Sequence, residues 1–93
     1  MNSDIEWDED KNQLNLRNHP GISFEEAQTV FLDEYCLVLP DDPHSFGERR
    51  YNALGSSGAG RLLVVTYTER WQKLRIISAR GPTKRERRTY EEG

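Results

Sequence analysis

The sequence predicts an α+β protein whose strands form a mostly antiparallel sheet. Helical signals lie near both ends of the chain, and four short apolar segments lie between them. These 93 residues are enough for the core of one domain and too few for two. Because only 34% of the residues are hydrophobic, we expect the core to be thin and to form one layer.

The N-terminal segment predicts a short strand followed by a helix. Residues Ile5–Trp7 are typical of a strand. Asp8 is suited to cap the helix because acidic residues follow it in the first turn, where the helix dipole favours negative charge. We expect this helix to end near Asn18, because the His-Pro-Gly segment 19–21 contains a proline that cannot continue it.

A second N-terminal helix is predicted over residues 24–33. Ser23 and Glu26 have the spacing of a capping box, in which each side chain bonds to the backbone N–H of the other residue. The apolar residues that recur on one face of this helix are Phe24, Ala27, Val30 and Phe31.

The four apolar segments after this helix predict strands. Residues 35–39 form the first strand, which Pro40 and Pro43 terminate. The other strands span residues 50–56, 61–68 and 73–79. The connecting segments, 57–60 and 69–72, are short enough for antiparallel hairpins, so we expect a meander.

The C-terminal segment predicts a basic helix, and the charge along the chain is uneven. Thr83 and Glu86 repeat the capping-box spacing, and the helix should end near Glu92. Residues 1–48 carry twelve acids and two bases, a balance of −10, whereas residues 49–93 carry eleven bases and four acids, a balance of +7. Either the C-terminal half forms a surface that binds a polyanion, or the two halves neutralise each other across the fold.

Several classes of protein are inconsistent with this sequence. The longest aliphatic run, residues 62–65, is far shorter than the ~20 residues of a membrane-spanning helix, and the N-terminus lacks the pattern of a signal peptide. We therefore expect a cytoplasmic protein with no membrane contact. The glycine-rich segment 55–60 lacks the lysine of a phosphate-binding loop, so a hairpin turn is the favoured interpretation.

The sequence contains few candidate metal ligands. Cys36 is the one cysteine and two histidines accompany it, which is too few for a zinc finger or ribbon, so Cys36 is expected to be a small buried residue. Asp41, Asp42 and Glu48 are an alternative metal set, but paired acids beside proline are also common in turns. We expect no metal and no other cofactor.

Basic and aromatic residues of the predicted strands indicate chemistry on RNA. RNA is cleaved without a metal when a base removes the 2′-OH proton, cations stabilise the phosphorane and an acid protonates the leaving oxygen. Arginine binds phosphate bidentately, and histidine or tyrosine can transfer the protons. The candidate catalytic residues are His44, Arg50, Tyr67, Arg75 and Arg80. The residues expected to bind RNA around them are Arg61, Arg70 and Lys73.

Each of these assignments has a structural alternative. Arg75 would also suit a solvated strand position, Tyr67 would suit the core or its rim, and the basic run 84–88 would suit an exposed helix face.

Two blocks in this order, D-x-H-S at residues 42–45 and R-I-I-S-A-R at residues 75–80, form a specific signal, whereas either block alone is weak. Further segments of the same pattern are residues 7–11, 21–27, 48–51, 60–65 and 85–91. With these segments, nearly the whole chain resembles the BrnT family of ribonuclease toxins from bacterial type II toxin–antitoxin systems.

The resemblance implies a fold related to the RelE toxins, with a small curved sheet packed by the first two helices. It also implies an endoribonuclease that inhibits translation and is neutralised by a BrnA-like antitoxin, through which the complex binds operator DNA. From the charge distribution we expect an acidic antitoxin segment to contact Arg85, Arg87 and Arg88. The competing hypothesis is a non-catalytic module that binds a protein partner, or nucleic acid as a co-repressor.

Overall fold

A five-stranded sheet with the strand order β1-β5-β4-β3-β2 organises the molecule. The computed structural model describes residues 4–44, without the side chain of His44, and residues 47–93. The elements are β1 (Ile5–Trp7), α1 (Glu9–Asn18), α2 (Phe24–Ala27), a 3₁₀ helix (Gln28–Leu32), β2 (Leu37–Pro40), a 3₁₀ helix (Asp42–His44), β3 (Arg50–Ser56), β4 (Leu62–Arg70), β5 (Lys73–Arg80) and α3 (Lys84–Glu92). β1 pairs with β5 in parallel, and the other pairs are antiparallel, so the sheet is mixed and the predicted α+β class is confirmed.

The N-terminal helices begin at the predicted caps. The Asp8 carboxylate accepts hydrogen bonds from the backbone N–H groups of Asp10 and Lys11, at 2.8 and 3.4 Å, and α1 ends at Asn18 as expected. The Ser23 hydroxyl accepts a bond from the Glu26 N–H at 3.0 Å. These contacts satisfy N–H groups that a helix leaves without intrahelical partners.

The second helix is shorter than predicted. Its α-helical part covers only Phe24–Ala27 and continues as the 3₁₀ helix Gln28–Leu32, where a single helix over residues 24–33 was expected. The Thr29 hydroxyl donates to the Glu26 carbonyl at 2.6 Å and accepts a bond from the Gly58 N–H at 2.7 Å. This side-chain bonding competes with regular α-helical geometry and ties the tighter segment to the β3–β4 turn.

The strands differ from the prediction mainly at their ends. β2 begins at Leu37 because Asp33 organises a turn before it: its carbonyl accepts from the Cys36 N–H at 3.1 Å, and its carboxylate accepts from the Tyr35 N–H at 3.0 Å. β4 extends to Arg70 and leaves a two-residue hairpin in which Trp71 and Gln72 have φ values of 56° and 64°. Both residues have a left-handed backbone conformation, which matches the geometry of a tight two-residue hairpin.

Apolar side chains pack on both faces of the sheet. The main cluster lies between the strands and the segment that contains α2 and the first 3₁₀ helix, on what we call the helix-covered face. Its buried residues are Ile22, Phe24, Ala27, Val30, Ala53, Leu63, Val65, Tyr67, Ile76 and Ala79. On the opposite surface, the open face, Leu54, Leu62 and Val64 form a smaller cluster against Tyr90 of α3. The expectation of a one-layer core is therefore wrong, because α3 covers one end of the second face.

Two buried asparagines connect α1 to the rest of the fold. The Asn15 amide donates to the carbonyls of Ile22 and Ala79, at 3.0 and 2.9 Å, and its oxygen accepts from the Ala79 N–H at 3.1 Å. The Asn12 oxygen accepts from the Phe24 N–H at 2.8 Å, and its amide donates to Glu25 at 2.9 Å. Asn15 thus fixes β5 between Ser78 and Arg80.

Candidate functional site

The polar part of the open face is built by alternate residues of three strands. Strand side chains alternate between faces, and the register makes Asn52, Thr66 and Ser78 neighbours across β3, β4 and β5. The residues that line a depression of about 270 Å³ at this place are Asp41, Arg50, Asn52, Thr66, Ser78 and Arg80. The Thr66 hydroxyl donates to the Asn52 side-chain oxygen at 2.7 Å, which fixes the floor of the depression.

Two of the three predicted phosphate-binding arginines meet in this depression. Arg50 and Arg80 come from the outer strands of the β3-β4-β5 unit and line the same space. Arg75 lies on the same face: Thr68 is the register partner of both Arg50 and Arg75. However, Arg75 is outside the depression and donates to Glu6 of β1 at 3.0 Å.

Arg80 is held in place by α3. Its guanidinium donates to both carboxylate oxygens of Glu86, at 2.8 and 2.9 Å, and to the Gly81 carbonyl at 3.1 Å. Glu86 also closes the predicted capping box with Thr83. The Arg80 hydrogen bonds lower the pKa of Glu86 to about 2, while Glu86 raises the pKa of Arg80. The pair therefore remains charged at neutral pH, and Arg80 has a defined orientation.

Asp41 contributes a carboxylate to the depression. It follows β2 directly, and its backbone N–H donates to the Arg50 carbonyl at 2.8 Å, which places it opposite Arg50 at the end of the β2–β3 ladder. Its charge is also near enough to raise the pKa of Arg80, after the larger effect of Glu86. The site thus combines two arginines, one carboxylate, two hydroxyls and an amide.

Tyr67 lies on the other side of the sheet from this site. Its ring stacks on Tyr51 at 5.5 Å between centroids and meets Phe31 edge-on at 5.2 Å. The side chain belongs to the main core and is 8% exposed, and burial raises the pKa of its hydroxyl. The structure therefore does not bring Tyr67 to Arg50 and Arg80, and it supports the interpretation of Tyr67 as a core aromatic.

His44 has no described side chain. Its backbone ends the 3₁₀ helix that follows Asp41, and its side chain, like Ser45 and Phe46, lies outside the described residues. Its predicted part in proton transfer remains a prediction.

The three residues predicted to bind RNA each contact an acid of the N-terminal half. Arg61 donates to Glu26 at 2.6 and 2.8 Å and to the Gly21 carbonyl at 2.6 Å, which links β4 to α2. Arg70 pairs with Glu48 at 2.9 Å, and Lys73 lies 4.0 Å from Glu6. These ion pairs show that the two oppositely charged halves neutralise each other in part.

The basic residues of α3 point away from the sheet. Glu86 and Tyr90 contact the sheet, whereas Arg85, Arg87 and Arg88 are exposed. The helix spans Lys84–Glu92, as predicted.

A family model described as the ribonuclease toxin BrnT of type II toxin–antitoxin systems matches residues 7–86. The chain belongs to the BrnT family. A crystal structure of the Brucella abortus ribonuclease toxin BrnT is similar, with a TM-score of 0.65 and 24% identity over 86% of this chain and 96% of that chain. At this identity the likeness establishes the fold. No curated protein matched the chain.

The BrnT match includes every strand of the depression and ends at Glu86, the partner of Arg80. Reasoning from the sequence missed three residues of this site, namely Asn52, Thr66 and Ser78, and considered Asp41 only as a metal ligand. The alternation of polar residues at 50 and 52 and at 78 and 80 was the available signal, because it places them on one face of their strands.

Other features of this BrnT-family chain concern possible metal and membrane sites. Within residues 4–44 and 47–93 no group of three or more His, Cys, Asp or Glu side chains is arranged to hold a metal ion. Asp42 instead lies 3.5 Å from Arg49.

The segment 57–60 is a hairpin turn, as predicted, in which the Ser57 N–H donates to the Arg61 carbonyl at 2.8 Å. No helix in the described part of the chain is long and apolar enough to span a membrane.

Proposed function

We propose that this BrnT-family ribonuclease toxin is an endoribonuclease that cleaves RNA without a metal, at the depression on the open face. The observation that carries the proposal is the convergence of Arg50 and Arg80, which lie on strands, with the carboxylate of Asp41, which directly follows β2, around one depression. Sheet strands hold such groups more firmly than loops do. Two guanidinium groups supply the positive charge that a dianionic phosphorane needs.

The reaction would use the 2′-OH of the substrate as nucleophile. Asp41 removes the 2′-OH proton, the 2′-oxygen forms a bond to the adjacent phosphorus, and the bond from phosphorus to the 5′-oxygen breaks. Arg50 and Arg80 stabilise the phosphorane, and the hydroxyls of Thr66 and Ser78 donate to its oxygens. An acid then protonates the leaving 5′-oxygen, and His44 is our candidate for this step. The products are a 2′,3′-cyclic phosphate and a 5′-OH end.

The direct test is cleavage of total RNA by the purified chain in the presence of EDTA. We expect cleavage with cyclic phosphate ends, and loss of about 10²–10³-fold in rate for Arg50→Ala or Arg80→Ala. Arg49→Ala is the matched control, since Arg49 is the neighbouring arginine but is exposed beside Asp42. Full activity of the Arg50→Ala/Arg80→Ala double variant, or cleavage that stops in EDTA and returns with magnesium, would contradict the proposal.

The biological consequence we propose is inhibition of translation in the cytoplasm, relieved by a BrnA-like antitoxin that also binds operator DNA. Expression of the chain alone should arrest growth, and co-expression of the adjacent reading frame should restore it. Reversing the charges of Arg85, Arg87 and Arg88 should weaken the complex and make it more sensitive to salt if an acidic antitoxin segment contacts α3. We further propose that the fold is related to the RelE toxins.

One observation favours the non-catalytic alternative. Arg75 and Arg80 already pair with Glu6 and Glu86, so RNA phosphates must compete with carboxylates for both groups. A non-catalytic module predicts RNA that stays intact with or without magnesium, together with retained binding to the partner.

A further inference from the structure

The outer edge of β2 is a surface that the candidate nuclease site does not use. β2 is terminal in the sheet, so no strand in residues 4–44 and 47–93 pairs with its outer side. The Asp41 N–H donates to the Arg50 carbonyl, and the direction of main-chain groups alternates along an antiparallel strand. Leu37 and Leu39 therefore point their main-chain groups toward β3. Val38 presents both its N–H and its C=O at the free edge.

Large apolar side chains accompany this edge. Tyr35 is 74% exposed, Val38 48% and Leu39 54%. Proteins usually protect an exposed edge with charges or proline, and here Pro40 removes a donor only at the end of the strand. The main-chain groups of Val38 are thus accessible to a strand of another chain, and the exposed apolar side chains beside them can pack against that strand.

An acidic groove continues the edge beyond the start of β2. It has a volume of about 520 Å³ and lies between residues 34–37 and the end of α3. Glu34, Glu91 and Glu92 line it together with Tyr35, Leu37 and Tyr90. None of these three carboxylates forms an ion pair with another described residue. A ligand of this surface therefore needs apolar side chains along the edge and basic side chains at the groove.

We propose that an extended segment of the antitoxin, with alternating apolar and basic residues, pairs with the outer edge of β2 as a sixth strand. The inference rests on the proposed function in that a toxin of this kind has an antitoxin partner. A second copy of this chain fits poorly, because antiparallel pairing of two β2 edges about Val38 would set Asp42 of one copy opposite Glu34 of the other and would bring no basic side chain to the groove. Main-chain bonds to Val38 would supply affinity, and the acidic groove would select the basic residues.

Binding at this edge places the antitoxin beside the nuclease site. Leu39 is the register partner of Asn52, and Asp41 follows the strand by one residue. A strand paired with Val38 runs along the rim of the depression. It therefore reduces the open space through which RNA reaches Arg50 and Arg80. This contact is separate from the one expected at Arg85, Arg87 and Arg88.

Amide hydrogen exchange of the unmodified chain tests the pairing directly, alone and in complex with the protein encoded by the adjacent reading frame. Exchange of the Val38 amide should slow by about tenfold or more on binding. The Leu39 amide is the internal control, because it already points toward β3 and should change little. Charge reversal by Glu34→Lys, Glu91→Lys and Glu92→Lys together should weaken binding by about tenfold or more and alter its salt dependence.

Val38→Pro removes the edge donor, and Val38→Ala is its matched control for the lost side chain. We expect Val38→Pro to weaken binding by roughly 3- to 10-fold relative to Val38→Ala. If Val38→Pro does not fold, the exchange of the unmodified chain decides the question. A complex with unchanged exchange at Val38, or no complex at all, overturns the inference. Failure to cleave RNA overturns only the nuclease proposal, because the complex is measured independently.

Discussion

The two faces of the sheet are built from the same strands but differ in character: one is buried and mainly apolar, and the other carries the polar depression. On the helix-covered face, Phe24, Val30 and Val65 are fully buried, and polar groups there occur in closed networks such as that of Asn15. On the open face, the same strands present Arg50, Asn52, Thr66, Ser78 and Arg80 around a depression. The comparison shows that alternation along β3, β4 and β5 separates the main core from the polar residues of the depression. Substitutions in the main core should therefore change stability most, and substitutions among the residues that line the depression should change activity most.

The largest expected effect is on the helix-covered face. Phe24→Ala removes a fully buried ring that packs edge-on against Trp7, with 6.2 Å between centroids. We expect a loss of about 3–5 kcal/mol in the free energy of unfolding, measured by urea denaturation. Leu32→Ala, at an apolar residue that is 80% exposed, should change it by less than about 0.5 kcal/mol. Similar losses for both variants would contradict the division between the faces.

The second effect tests whether the asparagine network supports the site across the sheet. Asn15→Leu leaves the Ala79 N–H and carbonyl without their side-chain partner and should reduce stability by about 1–3 kcal/mol. Because Ala79 lies between Ser78 and Arg80, cleavage by the folded protein should fall as well. Asn18→Leu is a control at an exposed position of the same helix. A stable Asn15→Leu variant with full activity would show that the strand needs no such support.

The third effect is a dependence of the free energy of unfolding on pH, caused by Glu86 at the border of the open face. The Arg80 hydrogen bonds lower the pKa of Glu86 to about 2 from the ordinary 4.5, so ionised Glu86 favours the folded state. This stabilisation is complete above about pH 4.5 and is lost as the pH falls toward 2. Discounted for partial exposure, it should amount to roughly 1–2 kcal/mol.

The measurement is the difference in free energy of unfolding between the unmodified chain and Glu86→Gln, followed from pH 7 to pH 2. The difference should shrink across this window. Glu69→Gln, at an exposed carboxylate of β4, is the control. A difference that stays constant over the window would show that the Arg80 pair does not stabilise α3.

The smallest effect is expected at the β4–β5 hairpin, whose turn residues Trp71 and Gln72 lie beyond both faces of the sheet. Trp71 is 88% exposed, and both Trp71 and Gln72 have positive φ values, which are unfavourable for such residues. Replacing them with Asn and Gly should raise the free energy of unfolding by about 0.5–1 kcal/mol and leave RNA cleavage unchanged. A loss of activity would indicate that Trp71 itself contacts the substrate.

The sequence by itself determined the class of the fold and the order of its elements. Local signals were sufficient for this: Asp8 and Thr83 cap their helices as predicted, and β3 spans Arg50–Ser56 as expected. Family membership was also readable from the two motif blocks at residues 42–45 and 75–80, the second of which contains Arg75 and Arg80 of β5. Such signals act over a few residues and do not depend on how the chain packs.

Only the tertiary structure decided which of these residues meet. The face on which a strand side chain lies depends on register, and the register partners of Thr66 and Tyr67 skip Ile77, a bulge that shifts the alternation of β5. The bulge places Arg75 on the same face as Ser78 and Arg80. The pairing of β4 with β3 places Tyr67 in the core, and the end of the β2–β3 ladder brings Asp41 to Arg50. Packing also pairs four basic residues with acids from distant parts of the chain, because long-range contacts cannot be read from spacing. They are Arg61, Arg70, Lys73 and Arg75.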